Sequence, residues 1–363
     1  MFTLQRHVSA STRSALALLI TACADAPQAP SSSVSPTATA TPNVVIEPSH
    51  YAMMTLPLLP GAIGSEANAI NDYGDIVGVM HFPGYKHAVR WNRANGGVDD
   101  LGVPPGHAES SATDINNAGW IVGKAWGGSQ GTRPFLYTHW LGLRSITSAP
   151  NAAYANAVSD DGYVVGGSLY NVAWRWTWET GVEVLPTPTP YGNSEANDVI
   201  AGGSIVGRAY AGASTEAHMW SPNGALTSLG WLPGGTFSVA TASSSSGVVV
   251  GNATYSASNR THAFMWTYGS MQDLGGLAEN YSAADVSTKG RIVGTIWPDY
   301  RAHEHDQAWT WKNGAFAYLT TPFYSGWLSK ARGVNSCGTI VGVITDPSTG
   351  DQRAVRWMAR VCE

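Results

Sequence analysis

The chain has 363 residues, 41 of them Gly, 20 Pro, 15 Trp and 15 Tyr, with 12% charged and 44% hydrophobic. That balance argues against coiled coils, which are rich in Ala, Glu, Lys, Leu and Arg, and against a disordered chain, which has few aromatics and high net charge. A formal charge of -5, only five Lys and no basic run argue against nucleic acid as a partner, because phosphate binding needs a concentrated positive surface.

Taken in chain order, the first element is an address. Arg6 and Arg13 precede the apolar stretch Ala15–Ala22, which ends at Cys23. Basic, apolar and small residues in that order read as a secretory signal over residues 1–22, and the apolar part is too short to span a bilayer. Ile20-Thr21-Ala22-Cys23 resembles a bacterial lipoprotein box, which implies lipidation of Cys23. Ala24 after it, rather than Asp, implies an outer-membrane destination in a Gram-negative cell. The alternative is an ordinary signal cut nearby, and export follows from both. Residues 23–49, rich in Ala, Pro, Ser and Thr, read as a disordered tether that holds a domain off a membrane surface.

From there one pentapeptide recurs seven times: Gly74-Asp-Ile-Val-Gly78, Gly119-Trp-Ile-Val-Gly123, Gly162-Tyr-Val-Val-Gly166, Gly203-Ser-Ile-Val-Gly207, Gly247-Val-Val-Val-Gly251, Gly290-Arg-Ile-Val-Gly294 and Gly338-Thr-Ile-Val-Gly342. The closing glycines are 45, 43, 41, 44, 43 and 48 residues apart, the period of four-stranded propeller blades. Upstream lies Ala-x-x-[Ile/Val], as in Ala67–Ile70 and Ala196–Val199, whose small residues suit a crowded inner strand. The turn into the pentapeptide needs positive φ at its Gly, so the first two strands form a hairpin. Downstream comes Ala-x-x-Trp, as in Ala88–Trp91, Ala217–Trp220 and Ala354–Trp357; one large aromatic per repeat fills the outward wedge between blades. Asp100-Leu-Gly102, Ser228-Leu-Gly230 and Asp273-Leu-Gly275 mark the fourth strand.

Thr261-His262-Ala263-Phe264-Met265-Trp266, followed by Asp273-Leu-Gly275 and Gly290–Gly294, resembles the HAF repeat of bacterial extracellular proteins, and His87-Ala88-Val89 is a second match. The resemblance covers residues 50–363 and implies a β-propeller without a settled activity. Other copies carry Arg133, Val172, Glu216, Gln307 or Arg353 at the His position, so that histidine reads as a strand-surface residue.

The expected fold is therefore all-β, a seven-bladed β-propeller of four-stranded blades over 50–363. Repeat seven ends at Glu363 with no room for a fourth strand, and the segment 51–58 has no blade of its own, so it is expected to complete blade seven and remove the free edges. Cys362 at that seam and Cys337 in the preceding hairpin turn are expected to form a disulfide in an exported protein, with two buried thiols as the alternative.

Loops joining strands two to three, and strand four to the next blade, emerge on one face. That face carries Tyr85, Trp126, Tyr191, Tyr210, Trp231, Trp297, Tyr300 and Trp327, candidate ligand-binding residues because such rings stack on sugars and peptide side chains. On the inner strands the third position of Ala-x-x-[Ile/Val] is Asp114, Asp198 and Asp285 in blades two, four and six. These are the candidate catalytic carboxylates and a possible oxygen shell for Ca²⁺ in the channel; the alternative is a bond from each to the neighbouring blade's backbone. His303 and His305 in His303-Glu-His-Asp306 are candidate transition-metal ligands, against a solvated charged loop. No G-x-S-x-G, phosphate loop or H-E-x-x-H is present.

The function expected is a monomeric, lipid-anchored, non-catalytic recognition module for a glycan or an extracellular or envelope protein, without a cofactor. The alternatives are a polysaccharide lyase or glycosidase and a structural protein of envelope assembly.

Overall fold

The computed structural model of the chain describes residues 45–46, 51–146, 152–189, 192–212, 214–255, 260–275, 280–297, 306–321, 324, 326–359 and 362. All of them belong to the second of two compact units, Ala40–Glu363. Among these residues every regular element is a strand. After β1 (Val45–Ile46) and β2 (Tyr51–Thr55), the strands come in groups that alternate tight turns with blade-to-blade crossings.

Blade one is β3 (Gly64–Ile70), β4 (Ile76–Phe82), β5 (Tyr85–Trp91) and β6 (Val98–Gly102). Blade two is β7 (Glu109–Ile115), β8 (Ile121–Trp126), β9 (Arg133–Thr138) and β10 (Gly142–Ser145). Blade three is β11 (Ala152–Val158), β12 (Val164–Ser168), β13 (Ala173–Thr177) and β14 (Gly181–Val184). Blade four is β15 (Ser194–Val199), β16 (Ile205–Ala211), β17 (Ser214–Trp220) and β18 (Leu226–Gly230). Blade five is β19 (Ser238–Ser243), β20 (Val249–Tyr255), β21 (Arg260–Thr267) and β22 (Ser270–Asp273). Blade six is β23 (Asn280–Val286), β24 (Ile292–Trp297), β25 (Gln307–Lys312) and β26 (Ala315–Tyr318). Blade seven is β27 (Leu328–Val334), β28 (Ile340–Thr345) and β29 (Gln352–Ala359), and its fourth place is taken by β2.

The expected closure is present: β2 runs antiparallel to β29 from Tyr51 opposite Ala359 to Thr55 opposite Val355. The strand is shorter than the expected 51–58. Leu56 still donates its N–H to the Ala354 carbonyl, and Pro57, which has no N–H, stops the ladder there. Cys337 and Cys362 form a disulfide across blade seven. One pairing has no counterpart in the sequence reading: Val45 and Ile46, inside the segment read as tether, run parallel to Ala315 and Phe316 on the outer edge of blade six.

Every inner strand carries a register shift next to the Ala of Ala-x-x-[Ile/Val], for example between Ala67 and Ala69 and between Ala196 and Asp198. Such a bulge places two residues opposite one and bends the strand. It explains the second glycine of each pentapeptide, which does not have positive φ. A Cβ on Gly207 would run into the carbonyl oxygen of Glu195, and the same holds for Gly78 against Glu66. The bulged residue turns its side chain to the next blade: Asn68 donates to the Ala112 carbonyl, Thr113 to Ala155, Asn156 to Ala196, Asn197 to Ala240 and Thr241 to Ala283.

The third-strand aromatics sit between blades as expected, with Trp91, Trp220 and Trp357 buried. Each also donates its indole N–H backward, Trp91 to the Pro57 carbonyl, Trp220 to Pro186 and Trp357 to Thr320. A serine two residues before the inner-strand Ala accepts the N–H of the preceding blade's third-strand Ala, as in Ala88 to Ser110, Ala217 to Ser238 and Ala354 to Ser65. The core is thus a ring of interblade layers, each seam combining apolar packing with satisfied polar groups.

Candidate functional site

On the hairpin-turn face the inner strands and their turns line a cavity of about 390 Å³ that is open to solvent. Asp72, Asp114, Asp160, Asp198 and Asp285 line it together with Asn71, Asn116 and other polar turn residues, and no described Lys, Arg or His does. The turns hold each other: Asn71 donates to the Asn116 carbonyl, Asn116 to Ser159, and Asn335 to Asn71 across the closing seam.

Asp114, Asp198 and Asp285 reach this cavity from blades two, four and six, and the detail of their bonding decides what they do. One oxygen of each accepts the N–H of the following residue, Ile115, Val199 or Val286. The other accepts an N–H of the next blade's inner strand, from Val158 at 2.8 Å, Ser243 at 2.6 Å and Val334 at 2.8 Å. Each carboxylate therefore fastens its own blade to the next. Burial within the ring disfavours their charged forms, and repulsion from neighbouring aspartates adds to this for Asp114 and Asp285; the N–H bonds offset part of it. Asp114 and Asp285 are raised to about 7, and Asp198 is raised for the same dominant reason of burial. Among the described residues no three His, Cys, Asp or Glu side chains converge as a metal site.

The other mouth of the channel holds residues that the sequence reading passed over. They occupy the position just before the inner-strand Ala: Glu66, Tyr154, Glu195 and Lys330 among them. Glu66 lies 2.6 Å from Arg332 and 3.1 Å from His81. Burial opposes its charge, but His81 and Arg332 outweigh that and hold the carboxyl at about 2. Tyr154 donates to Glu195 at 3.0 Å, and burial together with that carboxylate pushes the phenol up to about 12. Glu195 is also paired with Arg208 at 2.8 Å, and Lys330 with the buried Asp306 at 2.8 Å. Neither Glu66 nor Tyr154 exchanges a proton near neutral pH, so these pairs act as ion-pair braces. Periodicity alone could have flagged them, since they share one position of the repeat.

The expected aromatic face resolves into local pairs. Tyr85 stacks on Phe82 at 4.8 Å, and Trp327 tilts against Tyr324 at the same distance. Trp126 donates to Glu109 and lies under Lys124, while Trp231 donates to the Thr215 carbonyl and stays 38% exposed. Tyr210 and Trp297 are half-buried at the ends of β16 and β24. Tyr191, Tyr300, Cys23, His303 and His305 lie outside the described residues.

A tryptophan cluster stands instead on the hairpin-turn face, at the seam of blades two and three. Trp140, in the β9–β10 turn, is 58% exposed, and Trp178, in the β13–β14 turn, is 54% exposed. Both meet the half-buried Trp120 edge-on, at 6.2 Å and 6.3 Å between centroids. The available signal was a Trp in a turn that blades four and six build from Pro222-Asn-Gly224 and Asn313-Gly314.

No protein-family model matches the chain, and no curated protein matches it in sequence. Solved structures do match. A streptogramin B lyase structure superposes with a TM-score of 0.55 at 9% identity, over 85% of this chain and 97% of that one. Virginiamycin B lyase from Staphylococcus aureus gives 0.54 at 10%, over 85% and 99%. The β-propeller domain of the Trilobed protease from Pyrococcus furiosus, described as having an open velcro topology, gives 0.58 at 11%, over 82% and 94%. At these identities the likeness is one of fold.

Proposed function

We propose that the chain is an exported recognition module of the cell envelope rather than a catalyst, tied to a membrane through a lipid on Cys23, with a glycan or an envelope protein as its ligand. One observation carries the non-catalytic half of this reading: the three carboxylates that the inner strands bring into the chamber spend both oxygens on backbone N–H groups of two blades. Acids held that way are built for closure of the ring. The Cys337–Cys362 disulfide supports an oxidising, exported setting, and the signal-like start of the sequence and its HAF-type repeats agree with that. Among the described residues no helix is long and apolar enough to cross a membrane.

A second reading, a polysaccharide-acting enzyme, is favoured by one feature: burial pushes Asp114 and Asp285 up to about 7 beside a solvent-open cavity. The two readings separate in a panel of envelope polysaccharides and extracellular proteins incubated with the chain. Recognition predicts retention of a ligand with no new reducing or unsaturated ends. Polymer cleavage that disappears in Asp114→Asn or Asp285→Asn would replace it with the enzymatic reading. Release of the chain from membranes by Cys23→Ser checks the anchor.

A further inference from the structure

We infer that the tryptophan cluster at the seam of blades two and three is a saccharide-stacking platform, on which Trp140 and Trp178 each cover one hexopyranose ring of a neutral glycan chain. The inference rests on the recognition reading above and gives it a site and a ligand class.

The first argument is immobilisation. Trp178 packs against the buried Trp176 at 4.8 Å and meets Trp120 edge-on at 88°, while Trp140 meets Trp120 at 78° and His139 at 83°. These are the tilted and perpendicular contacts that aromatic pairs prefer. Each outer indole is therefore held by rings on one side and is open to solvent over more than half of its surface. Trp120 itself is fixed in the hydrophobic layer between the two blades and against Gly162 of the next hairpin turn. A ring already locked in place loses little freedom on binding, so the contact keeps most of its energy.

The second argument is exposure without a structural use. The other third-strand and turn tryptophans fill seams or bond to carbonyl oxygens, as Trp91, Trp220 and Trp231 do. Trp140 and Trp178 instead project from turns, where an apolar ring in water is unfavourable and a polar turn residue would close the hairpin equally well.

The third argument is size and polarity. An aromatic side chain presents on the order of 150–250 Å² in all, so two half-exposed indoles offer roughly 200–300 Å², far below the ~800 Å² per partner of a stable protein interface. Of the described aliphatic side chains only Leu141 is exposed beside them. The surroundings are hydrogen-bonding groups: the Thr177 and Thr180 hydroxyls, 3.0 Å apart, and the exposed Glu179 lie next to Trp178, and His139 lies next to Trp140, whose turn Arg144 braces by donating to the Leu141 carbonyl. Flat apolar faces rimmed by hydroxyl and imidazole groups match a sugar ring, which has an apolar C–H face and an edge of hydroxyls. Because both indoles touch the same Trp120, one short oligosaccharide spans them.

The test is calorimetric titration of the purified full chain with a panel of soluble neutral oligosaccharides, alongside choline as a quaternary-ammonium probe and sedimentation to follow self-association. For a saccharide that binds, Trp140→Ala and Trp178→Ala should each weaken binding about tenfold or more, the double variant should abolish it, and replacement of the exposed turn aromatic of blade five, Tyr268→Ala, should leave it unchanged. Near-ultraviolet circular dichroism and an unaltered melting point show that the variants are folded. Binding lost in Trp231→Ala and kept in the double variant would overturn the site while leaving the recognition reading intact. Choline binding without saccharide binding, or a dimer broken by the double variant, would overturn the ligand class. If the chain binds no glycan of the panel in any form, the inference fails together with the glycan half of the recognition reading.

Discussion

At the scale of single residues, the channel aspartates set a pH dependence whose sign follows from their bonding. Asp114 and Asp285 are raised from an ordinary 3.8 to about 7, so between about pH 4 and pH 7 the folded protein keeps protons that the unfolded chain has released. Their contribution to stability is complete below pH 4 and is lost as pH rises to 7. Glu66 runs the other way: at about 2 it stabilises the fold above about pH 4.5, and this is lost only as pH falls towards 2. Melting curves should therefore show a higher midpoint at pH 5 than at pH 7.5, and the slope over that interval should flatten in Asp114→Asn/Asp285→Asn. A rise of that size sets a ceiling of ~4 kcal/mol per group, which contact with solvent in the chamber reduces. A midpoint that rises from pH 5 to 7.5 would show that the N–H bonds outweigh burial. The positions of these acids could be read from the repeat, but their role could not, because the deciding bonds reach residues more than forty positions away. The histidines of the third strand show the same limit: His262 lies 2.8 Å from Asp273 and His87 3.0 Å from Asp100, whereas Glu216 in the same place accepts from Ser228 at 2.5 Å. In these three copies the position pairs across strands three and four whichever residue fills it, whereas Val172 in blade three has no group to do so.

At the scale of the element, the two glycines of the pentapeptide do different work. Gly203 sits at φ 78°, in the left-handed region that a tight hairpin needs, and the sequence already implies this. Gly207 has ordinary φ but faces the Glu195 carbonyl across the bulge, and no propensity argument reveals such a bulge. Gly203→Ala should lower stability by about 1–2 kcal/mol, the strain of a left-handed alanine whose methyl also presses on the Tyr163 ring. Gly207→Ala must displace backbone and should lower it by about 3 kcal/mol or more. Denaturant titrations of the two variants give the comparison, and equal losses would mean that the bulge relaxes. The hairpins, strand order and wedge aromatics were legible because they repeat seven times in register, the aromatic being Trp in six copies and Tyr137 in the other. The tryptophan cluster was not, because it is confined to two turns and depends on which turn face the blades share.

At the scale of the whole molecule, closure joins the two ends of the described chain. Blade seven draws its outer strand from β2 and its disulfide from the C-terminal residues, while Arg332 reaches across to Glu66 and Asn68 of blade one. The seam between blades six and seven is the one where the bulged residue, Ala284, has no polar group to donate, which leaves Asp285 to hold Val334. Loss of closure should act on the ring as a unit, because every blade shares its layers with two neighbours. A chain beginning after Ile46 lacks, among the described elements, only the two-residue β1 and should melt within a few degrees of the longer chain. A chain beginning after Leu56 leaves β29 as an open edge, and should associate or fail to fold cooperatively. Reduction of Cys337–Cys362, which closes a separation of 25 residues, should cost about 3 kcal/mol and lower the midpoint by roughly 5–10 °C without dividing the transition in two. A separate early transition for blade seven on reduction would instead mean that the seam opens independently, and that the ring's stability resides in the other six blades.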